Sequence, residues 1–227
     1  MLTAKHTSMN SITDLKNKHS GQDIYILCAG GSMDYIDSSF FDNKITIGLN
    51  RVGKFFKCDY LISKDSIGFG NILKNSLGNP KILISKYETG DPGRRLNYID
   101  SPSAYVFDHF DKPNQEPRTN LISTQDSRLV VSFSTVTTGL HAAAFMGSKN
   151  IILCGHDCGV LDGKTALSGY HKDLPPHHGS EEAYARWLSL ISSHTVEVRD
   201  KLKEVYGCNI VSINPFINFS LEGHQYR

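Results

Sequence analysis

The 227-residue sequence lacks a charge surplus of either sign: 24 Lys and Arg stand against 23 Asp and Glu, a formal net charge of +1. It also lacks any run of five or more like charges. Without basic excess there is little to neutralise a phosphate backbone, so general nucleic-acid binding is disfavoured. Long apolar runs are missing as well. Stretches such as Ile151-Ile152-Leu153-Cys154 have a strand's length and fall far short of the roughly 20 residues of a membrane span. The first twenty residues carry Lys and His but no apolar core or small-residue cleavage site of a secretory signal. A soluble, cytoplasmic chain with reduced cysteines is expected.

Paired Cys-x-x-Cys spacing is also absent. The five cysteines are Cys28, Cys58, Cys154, Cys158 and Cys208, an odd count, several of them inside apolar runs. Buried free thiols account for that pattern. Only Cys154 and Cys158, with His156 between them, approach a zinc spacing, and no Asp-x-Asp motif is present. No metal site is expected.

There are no internal repeats or low-complexity segments. What is present is an alternation of strand and helix. Apolar runs at 23–28, 45–49, 60–63, 81–84, 104–107, 150–154 and 209–213 read as seven strands, their continuous apolarity implying burial on both faces. Small residues from Thr138 to Gly147 suit a helix packed closely on a sheet. From Ser180 to Tyr206, apolar residues recur every three or four positions until Gly207 stops the pattern. The expected fold is α/β, with parallel βαβ units forming a Rossmann-like sheet. Residues 1–21 read as a polar leader, 22–227 as one domain, and 159–180 as a mobile lid over the sheet.

Ligands of open parallel sheets bind beyond the carboxyl ends of the strands. Four such ends carry polar residues. Gly30-Gly31-Ser32 follows the first strand, where backbone N–H groups can approach an anion or simply form a tight turn. Asn50 closes the second strand, as a base or ribose reader or as a turn residue. Lys64 and Asp65 close the third, as a phosphate and ribose pair or as a solvated ion pair. Gly155-His156-Asp157 closes a later strand, preceded by Thr137-Thr138-Gly139 at a helix start that is an anion site or an N-cap. His194 shares a helical face with Trp187, Ile191 and Val198, which suits a core-edge histidine as well as a base.

In order and spacing these motifs resemble the bacterial sialyltransferases of glycosyltransferase family 42 and the related DUF115 proteins, which include the Maf flagellin-modifying factors. Cys28 to Ser32 corresponds to the family's Gly-Asn-Gly-Pro-Ser turn, Asn50 to its strand-end Asn, and Ser63 to Asp65 to its polar third strand end. Thr137-Thr138-Gly139 corresponds to Thr-Ser-Gly, Gly155-His156-Asp157 to Gly-x-Asp, Tyr170 to a lid tyrosine, and Asp162-Gly163-Lys164-Thr165 to a DUF115 motif. The resemblance spans residues 22–215. Ala29 replaces an Asn that touches the nucleotide, Thr135 replaces an Arg, and Gly159 replaces a tyrosine.

The resemblance implies a GT-A-like sialyltransferase variant with helices on both sheet faces. It implies an inverting, metal-independent transferase that moves sialic acid or another nonulosonic acid from a CMP-activated donor to a glycan or protein hydroxyl. His194 would be the base, with His178 its substitute, and Tyr170 would stabilise the departing phosphate. Gly30, Gly31, Ser32, Asn50, Lys64, Asp65, Thr137, Thr138, Gly139, Gly155, His156 and Asp157 would hold the nucleotide. No cofactor beyond the nucleotide-sugar is implied, and the partners are donor and acceptor, with a homo-oligomer open. The alternatives are a DUF115-type pterin pyrophosphokinase, using ATP and Mg²⁺, and a nucleotide-binding module without turnover.

Overall fold

The computed structural model describes residues 10–63, 69–85, 102–110, 118–132, 134–172 and 181–213. Its centre is a sheet of eight parallel strands: β1 (Asn10–Ser11), β2 (Asp23–Leu27), β3 (Ile45–Leu49), β4 (Tyr60–Ser63), β5 (Lys81–Ser85), β6 (Ala104–Phe107), β9 (Asn150–Cys154) and β10 (Asn209–Ser212). Their order is β1-β6-β5-β4-β3-β2-β9-β10. A separate parallel pair joins β7 (His109–Phe110) to β8 (Leu129–Val130). All seven strands expected from the apolar runs are present.

The order places the topological switch between β2 and β9. Chain progress runs outward from β2 through β3, β4, β5 and β6, and later strands add on the other side of β2. Leu27 pairs with Cys154 and also with Gly48, so the segments following β2, β3 and β9 emerge side by side. Crevices at such a switch are the usual ligand sites of open α/β sheets.

Helices cover both faces. α1 (Phe69–Lys74) places Ile72 and Leu73 against Leu61, Ile82 and Ile84 on one face. The opposite face is covered by α2 (Thr135–Phe145) and α3 (Glu181–Tyr206), whose buried side chains join Ile24, Ile26, Ile47 and Ile62 in the main core. The small residues of α2 explain its closeness. A Cβ at Gly139 would stand 2.9 Å from Leu49 Cδ2, with Ile26 and Ile62 methyls next nearest. α3 buries Leu188, Ile191, Thr195, Val198 and Leu202, a spacing of three and four that makes one stripe. It ends at Gly207, at φ +69°, whose N–H reaches the Lys203 carbonyl at 3.0 Å.

Residues 10–21, read from the sequence as a polar leader, are built into this unit. Ile12 and Leu15 are buried, and Asn10–Ser11 pairs with β6. The same segment finishes α2: Asn17, His19 and Gly21 donate N–H groups to the carbonyls of Phe145, Met146 and Gly147. Helix-end carbonyls lack intrahelical donors, and here another segment supplies them.

Candidate functional site

Three clusters gather at the carboxyl edge of the sheet. The first joins the turn after β2 to the end of β9. Gly30 N–H donates to the Gly155 carbonyl at 2.8 Å, and the Asp157 carboxylate accepts both the backbone N–H and the hydroxyl of Ser32, each at 2.6 Å. A Cβ at Gly30 would lie 2.4 Å from Asp157 Cγ, and one at Gly155, at φ +69°, would lie 2.3 Å from Met33 Cγ. Both glycines are required by close approach. Gly30, Gly31, Ser32, Gly155, His156 and Asp157 are all buried. The Ser32 N–H therefore has its anion within the protein, and that anion is Asp157. Burial pushes the Asp157 carboxyl upward from its ordinary value, opposed by the two hydrogen bonds from Ser32.

His156 lies with its ring against Cys158, Nε2 being 3.5 Å from Sγ. Burial lowers the imidazole to about 4 and raises the Cys158 thiol to about 12. Both groups are neutral at pH 7, unlike the thiolate of an activated cysteine.

The second cluster surrounds the start of α2, three residues earlier than the sequence suggests. Ser134 is its N-cap, but the Ser134 hydroxyl makes no capping bond. Thr137 performs the tethering instead. Its Oγ1 accepts the Ser132 N–H at 3.0 Å and is shared as donor between the Ser132 and Ser134 carbonyls at 3.2 and 2.8 Å. Two hydroxyls, Ser134 Oγ and Thr138 Oγ1, are buried with no hydrogen-bond partner among the described residues. A buried, unpaired hydroxyl costs roughly 1–3 kcal/mol.

Asn50 and His194 converge on this start. Asn50 sits at φ +52°, a left-handed conformation that Asn tolerates, and Thr135 Oγ1 lies 3.4 Å from its Oδ1. His194, half-buried on α3, holds its Nδ1 2.7 Å from Ser132 Oγ. Thr138 thus shares the first turns of α2 with the contacts to Asn50 and His194. Gly139 faces the sheet rather than the cleft, so its position serves helix packing.

The third cluster is the loop from Gly159 to Lys172. It is tied down rather than draped. Leu161 and Lys164 exchange backbone hydrogen bonds, Leu167 N–H reaches the Ala29 carbonyl at 2.9 Å, and Ala166 and Leu167 are buried. Lys164 Nζ pairs with Asp34 at 2.9 Å, Ser168 donates to Asp34 through N–H and hydroxyl, and Tyr35 hydroxyl donates to Asp162. The Asp162-Gly163-Lys164-Thr165 motif is thereby a clasp on the turn after β2. Tyr170 packs its ring on Phe55, 6.3 Å between centroids, beside the turn that Asn50 begins. Lys64, Asp65 and His178 lie outside the described residues. Among the described residues no group of three His, Cys, Asp or Glu is placed to hold a metal ion, and no helix is long and apolar enough to cross a membrane.

Sequence reasoning missed Ser132. The Ser-x-Ser-Thr-x-Thr-Thr-Gly string signals an N-cap, but which hydroxyl is left unpaired depends on the fold.

No protein-family model matches the chain, and no curated protein does. Solved structures do match. The chain is similar to the monofunctional alpha-2,3-sialyltransferase Cst-I from Campylobacter jejuni, with a TM-score of 0.54 and 15% identity over 89% of this chain and 80% of that one. It is similar also to the sialyltransferase CstII of the same organism in complex with the substrate analogue CMP-3FNeuAc, at a TM-score of 0.51 and 16% identity over 89% and 86%. A third, an alpha-2,3-sialyltransferase from Campylobacter jejuni in apo form, has a TM-score of 0.51 and 16% identity over 91% and 84%. At these identities the likeness is one of fold.

Proposed function

We propose that the protein is an inverting glycosyltransferase that moves sialic acid or another nonulosonic acid from a CMP-activated donor to a glycan or protein hydroxyl, without a divalent metal. The observation that carries this reading is the start of α2, where the Ser134 and Thr138 hydroxyls are unpaired among the described residues, Thr135 meets Asn50, and Ser132, just before the helix, meets His194. A helix N-terminus presents about half a positive charge and unpaired N–H groups, which suits a phosphate.

In this reading the donor phosphate accepts from Ser134 and Thr138, and Asn50 reads the nucleoside. His194 takes the proton of the acceptor hydroxyl. The acceptor oxygen then attacks the anomeric carbon from the face opposite the phosphate, the carbon–oxygen bond to CMP breaks, and its electron pair leaves with the phosphate. Base catalysis and stabilisation of the leaving anion are the two contributions such a displacement needs. Tyr170, on the neighbouring turn, supplies a further phenol for that anion.

The fold likeness supports the donor class, since the similar structures include one bound to CMP-3FNeuAc. The Gly30-Gly31-Ser32 turn is not assigned to the phosphate, because Asp157 already takes the Ser32 donors. The ATP-dependent alternative wants Asp157 as a metal ligand, and both its oxygens face Ser32 instead. The test is calorimetry with CMP, CDP, UDP, ATP and GDP, with and without Mg²⁺, followed by assay of CMP release from CMP-N-acetylneuraminate. Selective, metal-independent CMP binding with CMP release is expected. Preference for ATP with Mg²⁺ overturns the reading.

A further inference from the structure

The edge of the sheet opposite the candidate site carries a grouping of cations. Parallel strands all begin at that edge, and β4 and β5 begin there with Tyr60 and Lys81 directly paired. Lys81 Nζ lies 5.4 Å from the centroid of the Tyr60 ring, an ordinary cation–π distance. The ring of His19 meets the same tyrosine edge-on, with 5.6 Å between centroids, and its Nε2 is 2.8 Å from the Tyr60 hydroxyl. Lys18 precedes His19 in the segment whose N–H groups finish α2. We infer that Lys18 and Lys81 form an anion site at the amino edge of the sheet, for a phosphate group carrying two or more negative charges, such as a phosphomonoester or pyrophosphate. This is independent of the glycosyltransferase reading.

Two ammonium groups side by side repel, and here no carboxylate bridges them. Among the described residues neither Lys18 nor Lys81 makes an ion pair or a hydrogen bond with an acidic side chain. The acid that acts on Lys81 is Asp59, whose Oδ2 is turned to Thr46 and accepts its N–H and hydroxyl at 2.9 and 3.1 Å. Burial lowers the Lys81 ammonium from its ordinary value, and the neighbouring Lys18 lowers it further, with Asp59 opposing. The two lysines differ in freedom. Lys81 is half-buried and held over Tyr60, whereas Lys18 is exposed and can close over a bound group. Two positive charges match a doubly charged phosphate, while a single carboxylate would leave one of them uncompensated.

His19 is a brace and not a ligand. Its Nδ1 lies 3.2 Å from Gln22 Oε1, an oxygen that only accepts, so Nδ1 carries the hydrogen and Nε2 accepts the Tyr60 hydroxyl. Both ring nitrogens are therefore engaged. The ring nevertheless senses the site. Burial lowers the imidazole from its ordinary value, the Gln22 hydrogen bond opposes this, Lys18 and Lys81 lower it further, and Asp59 raises it. An anion between the lysines cancels their repulsion, so the protonation midpoint of His19 rises when the site fills.

The test uses the full chain with inorganic pyrophosphate as the probe, which stays at least doubly charged through the range in which His19 titrates. Binding is measured by calorimetry, and the His19 midpoint by NMR of its ring protons across pH, against chloride at equal ionic strength. Pyrophosphate is expected to raise that midpoint above its value in chloride. Lys18→Gln and Lys81→Gln are each expected to weaken binding at this site by roughly 10- to 100-fold, the range for losing a charge-assisted hydrogen bond, and to abolish the His19 shift. Thr138→Val, at the other edge, should leave the shift in place. Lys18→Gln alters only an exposed side chain, so it decides the question even if Lys81→Gln fails to fold. The same midpoint in chloride and pyrophosphate, or a His19 shift in Lys18→Gln equal to that of wild type, overturns the site. Phosphatidylcholine vesicles with and without phosphatidate then separate the sources of the phosphate. Sedimentation of wild type, but not of Lys18→Gln, with the phosphatidate vesicles identifies a lipid headgroup, and a response to pyrophosphate alone identifies a soluble phosphate.

Discussion

The Asp157 carboxylate accepts both the backbone N–H and the hydroxyl of Ser32, 2.6 Å from each, across 125 positions of sequence. The two residues follow β2 and β9, the strands on either side of the topological switch. Their contact closes the glycine turn that would otherwise be the first place to look for a phosphate, and the start of α2 becomes the open candidate.

Asp157→Ala should therefore behave as a stability variant. It leaves the Ser32 N–H and hydroxyl buried without their acceptor, at roughly 1–3 kcal/mol per unpaired group. A loss of about 2–4 kcal/mol in urea unfolding is expected, with Asp157→Asn, which keeps one oxygen, losing less. An unchanged unfolding midpoint accompanied by loss of CMP binding would return Asp157 to the nucleotide.

Two buried histidines set an acid limit. His141 is fully buried, accepts the Val130 N–H on Nδ1 at 2.9 Å and meets Tyr206 hydroxyl through Nε2 at 3.1 Å. Burial lowers His141 to about 3 and His156 to about 4, from 6.5. Between pH 6.5 and about 4 the unfolded chain binds protons that the folded chain refuses, so stability falls as pH falls through that window. Across its full window His156 costs about 3 kcal/mol of stability and His141, whose window runs down to about 3, costs about 5 kcal/mol. Urea midpoints taken from pH 7.5 to 4.5 should decline from pH 6.5 downward, and a level profile to pH 5 would contradict the burial of both rings.

Much of this architecture is legible in the sequence, because its signals are local. Seven continuous apolar runs become seven buried parallel strands, and the three-and-four spacing from Leu188 to Leu202 becomes the buried stripe of α3. β1 has no such signal: Asn10 and Ser11 are polar, and only the buried Ile12 and Leu15 just after them anchor the segment. The site is harder to read. Thr137 and Thr138 are adjacent and chemically alike, yet one hydroxyl is consumed in a backbone clasp and the other is left unpaired. Helical rotation of about 100° per residue separates them, and only the packed helix fixes which faces where.

That difference yields a paired substitution. Thr138→Val nearly keeps volume and removes an unpaired hydroxyl, so the fold should hold while CMP affinity weakens by about 1–3 kcal/mol. Thr137→Val removes the clasp and should lower the melting temperature first. Equal CMP affinity of wild type and Thr138→Val by calorimetry would leave the phosphate elsewhere.

The base assignment permits a sharper separation. If His194 deprotonates the acceptor, His194→Ala should lower turnover by roughly 10²- to 10⁴-fold, the range for general base catalysis, with donor affinity almost unchanged. A histidine that only fills the edge of the core would behave differently. Its removal would deprive the Ser132 hydroxyl of its 2.7 Å partner and lower the melting temperature, with kcat following the folded fraction alone. Measured on one preparation, turnover per folded molecule distinguishes the two. His178→Ala, beyond the described residues, is the parallel control, because the same loss there with full activity in His194→Ala would move the base to His178. A His194→Ala protein that is folded, binds CMP as wild type does and releases it at the wild-type rate removes His194 from the chemistry.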